Sequence, residues 1–135
     1  VTGMGVVIKD ATTVELPKAE TVANIYVATK ERIPTGVNAA RMDMSDYDED
    51  FVNIAKGEFL GLERYTDGEK FATDQYKEAD FSGEVADGTP VSVGADGKWQ
   101  KLTTGSSKYV YEKPFKDNGH DLIMIRVEAD AVAQA

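Results

Sequence analysis

The chain has 135 residues, no cysteine and a formal net charge of -9, with a sequence pI of about 4.6. This length predicts one domain that buries roughly two thirds of its unfolded surface, and the missing cysteines exclude a disulfide framework or a thiolate zinc site. The acidic balance argues against a nucleic-acid backbone or an anionic membrane as partner, because both select basic surfaces.

No apolar run approaches the ~20 residues of a membrane-spanning helix. The start, VTGMGVVIKD, is short and lacks the charged flank of a signal peptide, so synthesis in the cytoplasm is expected.

Gly5–Lys9 reads as a first strand and Thr13–Leu16 as a second, stopped by Pro17. The stretch Val1–Ile8 is apolar and broken by glycine. It fits either an extended N-terminal arm that adds a strand to a partner's sheet or an ordinary first strand. Pro17–Val22 has a weak helical first turn, and Asn24–Thr29 is a strand. A turn follows at Ile33–Gly36, then an irregular acidic segment near 38–50. Phe51–Ala55 and Phe59–Tyr65 look extended, and Asp46–Lys56 could alternatively form a short acidic helix. Thr66–Glu69 turns the chain into Lys70–Tyr76, which reads as a hairpin.

The segment Asp80–Leu102 has the clearest pattern. Val85, Val91 and Val93 alternate with small or polar residues, and Gly94-Ala95-Asp96-Gly97 joins two strand-like runs. Asp-Gly at 87–88 and 96–97 marks tight turns. Lys108–Glu112 alternates up to Pro114, and Asn118-Gly119 is a hairpin turn leading into Leu122–Glu128. The Ala-rich tail is expected to fray.

Frequent turns and little helix predict a mainly β chain: a single small antiparallel β-barrel or β-sandwich. Residues 1–16 would be the arm or first strands, and 17–135 the β-rich domain.

Few constellations suggest chemistry. Asp46-x-Asp48-x-Asp50, with Asp43 and Glu49 nearby, matches half a calcium loop. The match then fails, with Phe51 where the turn needs glycine and Gly57 where a bidentate glutamate belongs, so a solvated loop is expected and no metal. His120, the only histidine, sits in a turn and reads as a surface residue. Ser82, Ser92, Ser106 and Ser107 lack a nucleophile elbow. Gly3-Met4-Gly5 precedes a strand, so it is no dinucleotide loop. Gly57, Gly61 and Gly83 read as bulges or close backbone contacts. No catalytic residue and no cofactor is expected. Trp99, Tyr65, Tyr76, Tyr109, Tyr111 and Phe115 suit a packed core better than a sugar-stacking platform. An exposed Trp99 would be an interface residue. The candidate partner-binding residues are Val1, Met4, Val6, Val7, Ile8 and Trp99.

Phe81–Leu102, FSGEVADGTPVSVGADGKWQKL, together with the apolar strand Leu122–Ala131, LIMIRVEADA, resembles small bacteriophage head decoration proteins, or capsid cement proteins. The resemblance implies a β-rich domain on the outside of the virion head. There it would self-associate, often as a trimer, and clamp neighbouring copies of the major capsid protein. It brings no catalytic residues, and the acidic segment Asp46–Asp50 has no place in the family pattern. Alternative readings are a tail-tube or head–tail joining subunit, a carbohydrate- or receptor-binding module, and a small hydrolase with a carboxylate pair.

Overall fold

The computed structural model describes residues 1–29, 54 and 60–134. Among them run β1 (Gly5–Ile8), β2 (Val14–Glu15), β3 (Tyr26–Thr29), β4 (Gly61–Glu63), β5 (Lys70–Thr73), α1 (Glu78–Phe81), β6 (Thr89–Val93), β7 (Trp99–Lys101), β8 (Ser106–Asp117) and β9 (His120–Ala133). The strands form two antiparallel sheets, ordered β2-β1-β3-β4 and β5-β9-β8-β6-β7. Neither closes on itself, so of the two expected architectures the chain adopts the sandwich-like one.

The core lies between the sheets. Ile25 and Val27 come from the smaller sheet and its approach. Phe71, Val91, Val93, Trp99, Tyr109, Tyr111, Ile123, Ile125 and Val127 come from the larger. Along β6 and β9 the core residues are every second one, as the period of a strand requires.

The N-terminal stretch is built into the body. β1 pairs with both β2 and β3. The Gly5 amide donates to the Gly97 carbonyl at 3.0 Å, and the Gly3 amide donates to Ala28 at 2.9 Å. A Cβ on Gly5 would collide with the Val93 side chain of the opposite sheet, so the glycine allows the sheets to approach. Of the two readings of Val1–Ile8, the first strand is observed rather than an extended arm.

Other expectations need correction. Thr66–Glu69 does turn, with Gly68 at φ 86°. It does not make a hairpin, because β4 pairs with β3 whereas β5 pairs with β9. The turn hands the chain from one sheet to the other, anchored where the Gly68 amide donates to the Val127 carbonyl and the Val127 amide to Glu69. Pro17–Val22 is not helical. Its Thr21 instead bridges Val93 in the other sheet. The one described helix, α1, falls where none was expected, and Val85 packs on the core from outside any strand.

Strand β8 runs through Pro114. Asp117 pairs with His120 across the two-residue Asn118-Gly119 turn, whose φ values are 49° and 82°. Counting back from that bonded pair, Pro114 falls on a non-bonded pair with Ile123, so its missing N–H costs no ladder bond to β9. The tail is ordered too: β9 reaches Ala133, paired with Ser106, and the Gln134 amide donates to Gly105. The expected turn at Ile33–Gly36, the segment 38–50, the helix Asp46–Lys56, Gly57 and the run Phe51–Ala55, save Ile54, lie outside the described residues.

Candidate partner-binding surface

Trp99 is fully buried, which removes it from any interface. Its ring lies 5.3 Å from those of Phe71 and Tyr109. Its indole N–H donates to the Gly3 carbonyl at 3.3 Å, and the Thr73 hydroxyl donates to the same oxygen. Gly3 thus satisfies two otherwise stranded donors, and the N-terminal turn closes the core over Trp99.

The aromatic residues do not make one platform. Tyr109 and Tyr111 are buried, and Tyr65 stacks on Phe71 at 4.4 Å. Tyr76, Tyr111 and Phe115 line a small cleft of about 370 Å³ between α1 and the β8–β9 hairpin. Tyr65 and Tyr109 line a different one. Trp99 joins neither cleft, so a single sugar-stacking surface built around it is not formed.

The remaining candidates divide by strand parity. Val27 faces the core and Gly5 faces Val93, so Val7, two residues beyond Gly5, shares that inner side. The alternate positions point outward. Register places Val6 opposite Tyr26, Ile8 opposite Val14, and Ala28 opposite Leu62. The outer face of the smaller sheet is therefore apolar along β1–β4, with the Arg64 guanidinium lying over Tyr26 at its end. Val6 and Ala28 on it are covered, Val14 and Tyr26 are half-buried, and Ile8 and Leu62 are 51% and 38% exposed. Leu16, just past β2, is also exposed. Val1 and Met4 are half-buried beside this sheet, and the Met4 carbonyl accepts from Ala28.

Leu62 and Leu16 fall outside the expected residues, although a signal for this face is present. NIYVAT and GVVI are apolar on consecutive positions rather than alternate ones, the mark of a strand covered on both sides.

A second exposed feature is the distal half of the hairpin. Among the described residues, β8 has no partner but β9 beyond Tyr111, and the β5 pairing ends at Ile123, so this half of the hairpin is a two-stranded ribbon. Phe115, opposite Leu122, is 39% exposed on it. His120 lies at the tip and is exposed, as expected of a turn residue.

Polar chemistry is concentrated elsewhere. The Glu20 carboxylate accepts from Gln100 Nε2 at 2.7 Å, Thr103 Oγ1 at 2.8 Å and the Thr103 amide at 3.2 Å. Burial works against its charge, but these donors outweigh it and hold the carboxyl below its ordinary range. Arg126 bridges Asp87, Glu112 and Glu128 on the outer face of the larger sheet, and Lys70 also pairs with Glu112. The first ties the segment before β3 to β7 and the residues after it, and the second ties β5, β8 and β9. Among the described residues no group of three or more His, Cys, Asp or Glu side chains could hold a metal, and the calcium-like run 46–50 is not among those residues. Compared with protein-family models, with curated proteins and with solved structures, the chain finds no match.

Proposed function

We propose that the protein is a structural virion component that binds the outside of a phage head and stabilises the shell. The major capsid protein is its partner, and the protein self-associates, as a trimer. The observation that carries this reading is the apolar outer face of the smaller sheet. Exposed Ile8 and Leu62 flank covered apolar positions on a rigid two-sheet body, a surface suited to a protein partner. The resemblance of Phe81–Leu102 to decoration proteins supplies the class of partner. Contacts repeated over a symmetric shell bind tightly even when each is weak, and a charge of -9 keeps the unassembled protein soluble.

The two-stranded β8–β9 ribbon favours a second reading. Tail-tube and head–tail joining subunits use such hairpins to complete a neighbour's sheet. Cosedimentation with heads stripped of accessory proteins separates the two. Saturable binding at a fixed ratio to the major capsid protein supports decoration. Self-assembly into rings or tubes without head binding supports the tail reading and overturns the first.

A further inference from the structure

At one end of the sandwich the loop before β3 and the loop after β4 face the start of β8 across a cleft of about 830 Å³. This volume is in the range of small-ligand sites. Its floor includes Tyr109, which is only 9% exposed. Burial raises the Tyr109 hydroxyl above its ordinary value, and the nearby Arg64 guanidinium partly offsets this, so the group remains a protonated donor at neutral pH.

Two cations line the same cleft. Arg64 lies with its guanidinium carbon 5.9 Å from the centroid of the Tyr26 ring. Stacking of this kind holds the group while leaving its N–H fork unspent. Among the described residues it makes no hydrogen bond or ion pair. Lys108 pairs only loosely with Asp67, at 3.5 Å with both side chains at least half exposed. The lining carries the charges of Arg64, Lys108 and Asp67, while the Glu63 and Glu69 carboxylates are engaged by the Tyr65 hydroxyl and by Thr66 at its edge. Asn24, held at φ 56°, adds an amide to the rim.

We propose that this cleft binds a carboxylate group, held by the Arg64 fork and the Lys108 ammonium, with the Tyr109 hydroxyl as a third donor. A planar fork suits the two oxygens of a carboxylate. The carboxylate could come from a small sugar acid or from an acidic side chain of a peptide. The site adjoins the outer face of the smaller sheet where Arg64 lies over Tyr26, but its argument does not depend on the decoration reading.

The test is titration of the full chain, followed by NMR, with glucuronate, with an acetylated hexaglutamate peptide, and with neutral glucose as control. Saturable shifts of Tyr109 and Arg64 with glucuronate alone assign a sugar acid. Shifts with the peptide alone assign an acidic protein segment, and shifts with both assign the carboxylate itself. Arg64→Gln is expected to weaken binding about tenfold, because it removes a charge-assisted fork. Arg64→Lys restores part of the loss, and Tyr109→Phe costs about threefold as one neutral hydrogen bond is lost. Arg64 is exposed, so the two Arg64 variants should melt with the parent. Saturation by neither carboxylate, or binding unchanged in folded Arg64→Gln, overturns the proposal.

Discussion

Trp99 shows how a single residue ties distant segments together. Its ring fills the space between Phe71 and Tyr109, and its N–H is satisfied by Gly3 from the far end of the chain. Truncation to alanine should cost about 3–5 kcal/mol, a large fraction of the 5–15 kcal/mol available to a domain of this kind. Urea unfolding of Trp99→Ala should therefore show a much earlier midpoint. An unchanged midpoint would mean that the site repacks without loss. Glu20 contributes with a definite pH sign. Its folded carboxyl titrates below the ordinary glutamate value of 4.5, so it stabilises above that pH and the contribution disappears as pH falls through the folded value. Melting curves should show Glu20→Gln destabilised at pH 7, with the gap to the parent closing below pH 4.5. A gap that stays constant with pH would assign the effect to packing instead of charge.

At the scale of elements, β1 is a tie between sheets. Removing residues 1–8 would leave β3 without a neighbour on one side, expose Val27 and Val93, and strand the Trp99 indole and Thr73 hydroxyl donors. The truncated chain should be unfolded or molten by near-ultraviolet circular dichroism, whereas a separable arm would leave that spectrum intact. Much of this was legible beforehand. The turns at Asp87-Gly88, Asp96-Gly97 and Asn118-Gly119 all form, each with its glycine at positive φ. Strands at Gly5–Ile8, Tyr26–Thr29, Thr89–Val93 and within Leu122–Glu128 follow the apolar pattern. Sheet assignment was not legible, because a local turn signal such as Thr66–Glu69 says that the chain bends and not which strand it pairs with afterwards. The ends of β8 and β9 were hidden for a similar reason. Pro114 and the Ala-rich tail are poor strand formers by composition, and tertiary pairing in a long hairpin outweighs that preference. The candidate surface was half legible. Ile8 and Val6 could be named from an apolar stretch, but Leu62 joins them only through the register of β4 on β3.

For the whole molecule, the two sheets divide the work. The larger sheet holds most of the core and the polar ties of Arg126, while the smaller presents an apolar face with exposed Ile8 and Leu62. Burying such side chains in a partner yields ~25 cal/mol per Å² of apolar surface before association costs, so one copy binds weakly and a ring or lattice of copies binds well. Ile8→Glu and Leu62→Glu should leave the fold intact, since both side chains already meet solvent. They should weaken docking because a partner surface would have to bury an unpaired charge. The most direct measurement is cosedimentation of the parent and the Ile8→Glu/Leu62→Glu double variant with stripped phage heads, with melting curves to verify that both are folded. A decoration role requires saturable binding of the parent and at least tenfold weaker binding of the variant, about 1.4 kcal/mol or more. Equal binding of the two, or no binding of the folded parent, would contradict it.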